Sequence, residues 1–164
     1  MKNLQITTLL KECTIDELPE SDRELIEAAK NASLKAYAPF SGFQVGAAIL
    51  MDNGRIEIGS NQENAAFPSG MCAERTAAYH ASAAHPCVAM KKIAIAAGKH
   101  ADSPHDDPEA GFQNHPISPC GACRQALIEY EHLFGPIEVI LYGKEKTYVF
   151  PSVASLLPYS FTDF

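Results

Sequence analysis

The sequence predicts an α/β fold, a three-layer α/β/α sandwich around a mixed sheet of five strands. Three long segments carry apolar residues at helical spacing, and five shorter segments alternate or run continuously apolar as strands do. These segments interleave along the chain, which favours parallel pairs, while Asn53-Gly54 marks a tight antiparallel hairpin. The 164 residues suit a single domain over 1–164.

The first helix should follow an irregular N-terminal extension over residues 1–20. Ser21 and Glu24 have the spacing of a capping box, which predicts that this helix begins at Ser21. The apolar stripe that follows is narrow and rich in alanine, so it can pack closely against a sheet. Pro39 should end the helix near Tyr37, because the residue before a proline avoids helical dihedral angles.

The middle of the chain predicts a hairpin, a second helix and a buried strand. Residues 43–50 and 55–61 are the hairpin strands. Pro68 and Gly70 break the chain before a helix over 71–84, and residues 93–97 form a short apolar strand. Cys72 and Glu74 therefore fall in the first turn of the second helix.

The last third predicts a third helix and two more strands. A long polar loop over 99–117 leads to Pro119, and Cys120 opens a helix that runs to about residue 133. Residues 137–142 and 147–150 are strands, and residues 153–157 form a short helix.

Composition and charge argue against several classes of function. The net charge of −7 and the pI of about 5.3 disfavour a nucleic-acid polymer, whose binding proteins carry a basic footprint. No stretch approaches the roughly 20 apolar residues of a membrane span, and residues 1–11 are too polar for a signal peptide. Five cysteines cannot all pair internally, so we expect a reducing, cytoplasmic environment. Cys13 and Cys87 lack any partner pattern and are predicted to be packing or surface thiols.

Three other thiols, from two distant segments, could meet around one metal ion. Cys72 lies at one predicted helix start, and Cys120 and Cys123 lie at another, where the helix N-terminus favours thiolates. Three thiolates hold Zn²⁺ tetrahedrally and leave a fourth position for water, whose protons Glu74 could move. The pattern favours a hydrolytic zinc site. A structural zinc site and a redox Cys-x-x-Cys pair are the alternatives.

Five segments resemble the cytidine deaminase family, in its homotetrameric form with three zinc-binding cysteines. Cys-Ala-Glu-Arg-Thr-Ala (72–77) and Pro-Cys-Gly-Ala-Cys-Arg-Gln (119–125) are similar to its two zinc motifs. Pro-Phe-Ser-Gly-Phe-Gln-Val-Gly-Ala-Ala (39–48), Asn-Gln-Glu-Asn-Ala (61–65) and Leu-Leu-Pro-Tyr-Ser-Phe (156–161) resemble the family in the right order. The resemblance spans about residues 22–162. It implies a cytidine deaminase-like fold, one Zn²⁺ per subunit, a homotetramer, and hydrolytic deamination of cytidine and deoxycytidine in pyrimidine salvage.

The resemblance also implies the roles of the metal-site residues. Cys72, Cys120 and Cys123 bind zinc, and water activated there attacks C4 of the pyrimidine. Glu74 relays protons between this water, N3 and the leaving amine, which is the general scheme of zinc deaminases. Arg75 donates hydrogen bonds to the thiolates and balances their charge.

Further residues match the family's nucleoside contacts. Asn61 and Glu63 correspond to the pair that holds the ribose 3′-hydroxyl, and Phe40 to an aromatic that packs against the nucleoside. Phe67 stands where many members have tyrosine, which removes a hydroxyl but keeps an apolar wall. Phe161 matches a C-terminal aromatic supplied by a neighbouring subunit, so each active site would need a second chain.

The loop over 99–117 departs from the family because it is longer than the family pattern implies. It is predicted to be a solvated loop that borders the pocket or the oligomer interface, and a second metal site within it is the less favoured alternative. Two other functions stay open: a deaminase for a cytosine-containing antibiotic or another aminopyrimidine, and a non-catalytic zinc or redox module. Asn61 and Glu63 favour an ordinary ribose, and Glu74 favours catalysis.

Overall fold

Helices and one central sheet make up the structure. The computed structural model describes residues 1–99 and 109–162. The helices in this part of the chain are α1 (Glu20–Ser33), α2 (Ala73–Ala84) and α3 (Gly121–Phe134). The strands are β1 (Lys11–Cys13), β2 (Gln44–Met51), β3 (Ile56–Ser60), β4 (Met90–Gly98), β5 (Glu138–Leu141) and β6 (Thr147–Phe150). Short 3₁₀ helices cover Ile15–Glu17, Phe67–Ser69 and Val153–Leu156.

The sheet is mixed, as predicted, but it has six strands where the sequence predicted five. Its order is β1-β6-β5-β4-β2-β3, with β4 and β5 parallel and the other neighbours antiparallel. The additional strand β1 lies in the extension that was predicted to be irregular, and it pairs with β6 from Lys11 opposite Val149 to Cys13 opposite Thr147. Its side chains are exposed or only partly buried, so its stability comes from backbone pairing and leaves no apolar pattern in the sequence.

Helices cover both faces of the sheet, which confirms the three-layer arrangement. On one face α1 packs in an apolar cluster that includes Leu25, Ile26 and Ala29. On the other face α2 and α3 pack in a second cluster that includes Ala77 and Leu127. We refer to these as the α1 face and the α2/α3 face.

The alanine-rich stripe of α1 rests directly on β2, as its composition predicted. A Cβ atom added to Gly46 of β2 would lie 2.0 Å from the carbonyl oxygen of Ala29 and 2.4 Å from the backbone nitrogen of Ser33. Both distances are far below normal van der Waals contact. Glycine is therefore required at this position for the helix backbone to reach the sheet.

The start of α1 differs from its prediction. The helix begins at Glu20, and Ser21 lies inside its first turn, so the predicted capping box is wrong. Pro19 occupies the N-cap position, and its carbonyl oxygen accepts hydrogen bonds from the backbone nitrogens of Asp22 and Arg23. A proline before the helix thus replaces the serine cap.

The end of α1 also comes earlier than predicted, at Ser33 and not near Tyr37. Tyr37 pairs instead with the loop after β3. Its backbone nitrogen donates to the carbonyl oxygen of Asn61 (3.0 Å), and its carbonyl oxygen accepts from the nitrogen of Glu63 (2.8 Å). This long-range pairing ends the helix before Pro39 does, and it brings α1 to the loop that holds two predicted substrate contacts.

The other elements agree with their predictions within a few residues at each end, and the bounds of β6 are those predicted, 147–150. Strand β4 is longer than the predicted 93–97 because it pairs with β2 over most of its length and with β5 on its other side. Residues 100–108 of the predicted polar loop lie outside the described residues, and residues 109–120 contain no helix or named strand. In the described part of the chain, no helix is long and apolar enough to cross a membrane.

Candidate active site

Two helix N-termini bring the three predicted thiols together. Cys72 is the N-cap of α2, Cys120 is the N-cap of α3, and Cys123 lies in the first turn of α3. Their sulfur atoms all lie within 4.8 Å of one another, with 3.8 Å from Cys72 to Cys120 and 3.3 Å from Cys120 to Cys123. A soft donor set of this spacing fits tetrahedral Zn²⁺ with one open position. Cys13 and Cys87 lie outside this cluster, as predicted.

The clustered thiols are electrostatically coupled to one another and to Arg75. A hydrogen bond from the Cys123 thiol, supported by Arg75, lowers the pKa of Cys72 to about 5 despite desolvation. Donation of that bond, together with burial, raises the pKa of Cys123. Nη2 of Arg75 lies 3.8 Å from the sulfur of Cys72, and the hydrogen bond to this sulfur raises the pKa of the guanidinium. Arg75 is therefore the cation beside the sulfur of Cys72.

Glu74 is a buried carboxyl next to the thiols. It lies in the first turn of α2, and its residue is only 4% exposed. Burial is the main cause that raises the pKa of this carboxyl, and the negative charge of Cys72 adds to it. A buried carboxyl with a raised pKa, beside a metal-binding cluster, is typical of a catalytic acid or base.

A cavity of about 590 Å³ opens above the cluster and is lined by most of the predicted site residues. The predicted residues that line it are Phe40, Asn61, Glu63, Phe67, Cys72, Glu74, Arg75 and Cys120. Cys123 is fully buried and Phe161 lies elsewhere, so neither lines the cavity. The structure thus brings the metal-site motifs and the predicted sugar-binding loop into one concave site.

The outer wall of the cavity is aromatic and carries one carboxylate. The rings of Phe40 and Phe67 pack edge to face, with centroids 6.1 Å apart and planes at 75°. The Oε2 atom of Glu63 accepts hydrogen bonds from the backbone nitrogens of Phe40 (2.8 Å) and Ser41 (3.3 Å). Hydrogen bonds from the Ser41 side chain and the Phe40 backbone lower the pKa of Glu63, so it is ionised at neutral pH.

Asn61 has a structural task that its sequence position did not reveal. Its side-chain oxygen accepts from the backbone nitrogen of Val45 (2.8 Å), and its side-chain nitrogen donates to the carbonyl oxygen of Phe43 (2.9 Å). The amide therefore fastens the start of β2 to the loop after β3. The same side chain borders the cavity, so Asn61 fixes the shape of the wall that it forms.

The comparison with known families decides the identity of this site. The family described as "Cytidine and deoxycytidylate deaminase zinc-binding region" matches residues 19–134, which include all three clustered thiols and Glu74. The chain belongs to the cytidine deaminase family. The zinc-binding region of the family and the three-thiol cluster identify zinc as the cofactor of this cytidine deaminase fold. A redox pair or a separate structural zinc site is no longer needed to explain Cys120 and Cys123.

Individual relatives agree with this assignment. The cytidine deaminase of Sporosarcina psychrophila is 37% identical over 139 residues, covering 85% of this chain and 90% of that protein. The probable cytidine deaminase of Dictyostelium discoideum is 33% identical over 139 residues, covering 85% of this chain and 82% of that protein. The crystal structure of cytidine deaminase from Burkholderia pseudomallei matches with a TM-score of 0.69 at 38% identity, covering 88% of this chain and 100% of that one.

Phe161 lies away from the cavity of its own subunit. It is 68% exposed, and its carbonyl oxygen accepts a hydrogen bond of 2.8 Å from Nε2 of Gln125 in α3. This bond ties the C-terminal tail to the helix that carries Cys120 at its cap. The side chain of Phe161 is therefore exposed on a tail that is hydrogen-bonded to α3.

Sequence reasoning missed part of the cavity wall. Val45, Met71, Ile117 and Ser118 also line the cavity. Met71 and Ser118 lie next to the two zinc motifs in the sequence, and that adjacency was the available signal. Arg124, within the second motif, donates through Nη2 to the Ser118 hydroxyl at 2.7 Å, so the motif also holds its own wall residue in place.

Proposed function

We propose that this protein catalyses the hydrolytic deamination of cytidine and deoxycytidine, which yields uridine or deoxyuridine and ammonia for pyrimidine salvage. The position of Glu74 carries this proposal, because a buried carboxyl borders both a three-thiol cluster and a cavity of about 590 Å³. Cavities of this size commonly bind small organic ligands. The names of the relatives supply the substrate class, since they are cytidine deaminases.

Glu74 performs the proton transfers of the proposed reaction. Cys72, Cys120 and Cys123 would hold zinc, whose Lewis acidity would make water nucleophilic at neutral pH. Glu74 accepts one proton of the water while the water oxygen bonds to C4 of the pyrimidine. Glu74 then donates this proton to N3. Glu74 then moves the second proton from the oxygen to the amino group. The C4–N bond breaks with its electron pair on nitrogen, ammonia leaves, and a C4 carbonyl remains.

Arg75 and the helix N-termini balance the charge of the cluster. Three thiolates around Zn²⁺ carry a net negative charge, which would make a nearby water a weaker acid. Nη2 of Arg75 lies 3.8 Å from Cys72, and the N-termini of α2 and α3 add partial positive charge. These contributions offset part of the thiolate charge.

Glu63 and Asn61 are proposed to bind the sugar. Glu63 is ionised, since the hydrogen bonds from Ser41 and Phe40 lower its pKa, and a carboxylate has further acceptor sites for a ribose hydroxyl. Asn61 holds the wall beside it. Phe40 and Phe67, which pack edge to face, supply the apolar surface against which the nucleoside rests.

The charges of the cavity favour a nucleoside over its monophosphate. Among the described residues that line the cavity, Arg75 is the only cation, and it is engaged with the sulfur of Cys72. Glu63 would repel a phosphate group. We therefore expect kcat/KM for deoxycytidine to exceed that for deoxycytidylate by at least about 100-fold, which corresponds to about 3 kcal/mol of discrimination.

The assembly and location of the protein are part of the proposal. A homotetramer in which Phe161 completes a neighbouring site is supported by the exposure of Phe161 and its absence from its own cavity. A single domain over 1–164 is supported by the sheet, which joins β1 near the N-terminus to β6 near the C-terminus. A cytoplasmic location is supported by the need to keep the three zinc-binding thiols reduced.

Turnover of nucleosides tests the proposed function. Zinc-loaded protein incubated with cytidine or deoxycytidine should lower the ultraviolet absorbance of the substrate and release one ammonia per uracil nucleoside formed. Absence of turnover with both nucleosides would refute the proposal. A panel of other aminopyrimidines, including cytosine-containing antibiotics, would then identify the alternative substrate by the same ammonia measurement.

A further inference from the structure

Residues 109–120 carry the chain from the carboxyl end of the parallel pair β4 and β5 to the first thiol of the second zinc motif. The backbone nitrogen of Gln113 donates to the carbonyl oxygen of Ala97 (3.0 Å), and the nitrogen of Lys144 donates to the carbonyl oxygen of Gln113 (3.0 Å). The segment is therefore hydrogen-bonded to the end of β4 on one side and to the turn between β5 and β6 on the other.

This segment passes from one face of the sheet to the other. Phe112 is 6% exposed and belongs to the apolar cluster of the α1 face. Ile117 packs against the cluster of the α2/α3 face and lines the active-site cavity. At the crossing point the backbones touch, because a Cβ atom on Gly143 would lie 2.7 Å from the nitrogen of Pro116. The segment therefore links the α1 face to the cavity wall.

A buried lysine holds the beginning of the segment on the α1 face. Nζ of Lys30 donates to Oε1 of Glu109 at 2.7 Å, and its side chain is only 7% exposed. The hydroxyl of Tyr142 donates to Oε2 of Glu109 at 2.5 Å. The ammonium of Lys30 also lies 4.2 Å from the centroid of the Tyr142 ring, and it pairs with Glu27 of its own helix at 2.7 Å. Each oxygen of Glu109 thus has a donor, one from α1 and one from the residue that follows β5.

We propose that Lys30, Glu109 and Tyr142 are positioning residues that fix Ile117 and Ser118 in the wall of the active-site cavity. None of the three lines the cavity. They act through the backbone that joins them to it, while Arg124 holds Ser118 from the other side at 2.7 Å. This assigns a task to the described part of the long 99–117 segment. The effect on catalysis rests on the proposed function, but the placement of the segment does not.

A second lysine network, around the partly buried Lys92, provides a matched control. Nζ of Lys92 donates to Asp22 at 2.6 Å and lies 2.9 Å from Glu138, so it too joins α1 to β4 and β5 through two carboxylates. Lys92 and Glu138 pair at the amino ends of these parallel strands, whereas the Lys30 cluster lies beyond their carboxyl ends. Loss of Lys92 should therefore lower stability without disturbing the cavity wall.

The test compares Lys30→Met, Glu109→Gln, Tyr142→Phe and Lys92→Met in the zinc-loaded full-length protein. Hydrogen–deuterium exchange of peptides that cover residues 109–120 measures the position of the segment, independently of activity. Steady-state assays with cytidine, below the unfolding temperature of every variant, give kcat and KM. We expect faster exchange in this segment and a rise in KM of about three- to tenfold in the first three variants, with kcat within about twofold. Lys92→Met should leave the exchange of this segment and the KM as in wild type, while its melting temperature falls.

Two results would overturn the inference. One is unchanged exchange over 109–120 and unchanged KM in Glu109→Gln and Tyr142→Phe, the two variants that preserve size. The other is an equal change of exchange and KM in Lys92→Met. That result would show that Lys30, Glu109 and Tyr142 contribute only to overall stability. If the wild-type protein does not turn over cytidine, the proposed function fails by itself, and the exchange measurement still decides the positioning role. If Lys30→Met does not fold, Lys30→Arg, which retains the cation, replaces it. Lys30→Arg should then change exchange and KM less than Glu109→Gln does.

Discussion

Replacement of Glu74 by glutamine should nearly abolish turnover while it leaves the fold and the metal site intact. The amide has the size of the carboxyl but cannot carry a proton between the water, N3 and the leaving amine. General acid–base catalysis contributes about 10²- to 10⁴-fold for each transfer, and two transfers depend on this side chain. Glu63 is the only other carboxylate among the described residues that line the cavity, and backbone nitrogens already hold it. We therefore expect kcat to fall by at least about 10⁴-fold, or about 5 kcal/mol in the barrier.

The stability of the same variant separates a catalytic role from a structural one. Glu74 is 4% exposed, and a neutral amide costs less to bury than a carboxylate. The melting temperature of Glu74→Gln should therefore equal or exceed that of wild type, and its zinc content should not change. Glu63→Gln is the matched control, since it removes a carboxylate from the same cavity at the sugar-binding end. This control should raise KM much more than it lowers kcat.

The assay for this prediction follows cytidine absorbance and ammonia release with enzyme of measured zinc content. Turnover by Glu74→Gln within about tenfold of wild type would refute the proton-relay role. A loss of zinc or a large fall in melting temperature would show that the variant acts through the structure and not through the chemistry.

The remaining predictions concern assembly, packing and pH. Phe161→Ala should weaken cytidine turnover and shift the oligomer distribution in analytical ultracentrifugation, and unchanged values for both would contradict a shared active site. Gly46→Ala should lower the free energy of unfolding by about 1–3 kcal/mol, because its Cβ would collide with the backbone of Ala29, and a denaturation curve that overlays wild type would refute the close contact. Glu57 has a pKa lowered from 4.5, chiefly by a hydrogen bond with His85, so it contributes stability above pH 4.5 that is lost as the pH falls through its lower folded value. Glu57→Gln should therefore cost about 1 kcal/mol or less at pH 7, and this difference should shrink in thermal melts as the pH falls below 4.5.

The metal site could be predicted from the sequence because its geometry is local. Cys120 and Cys123 are three apart at one helix start, so helix geometry places both thiols on one side. Cys72 and Glu74 lie together at the cap and first turn of another helix. Only the meeting of the two helix starts required the fold. The alternation of segments predicted that fold correctly as a mixed α/β sandwich.

Features that depend on long-range contacts left no sequence pattern. Strand β1 has no apolar alternation because backbone pairing with β6 holds it. The helix α1 ends early because Tyr37 pairs with a loop more than twenty residues away, at Asn61 and Glu63. The Lys30 cluster joins an ordinary helix lysine to Glu109, a residue of a polar loop, and neither partner suggests the other in the sequence.

The origin of the oxygen in the product tests the central claim most directly. Zinc-loaded protein should convert cytidine in ¹⁸O-enriched water to uridine that carries one ¹⁸O at C4, with one ammonia released for each labelled molecule. Mass spectrometry of the isolated nucleoside measures this label. Uridine formed without ¹⁸O, or no uridine at all, would contradict hydrolytic deamination at this site.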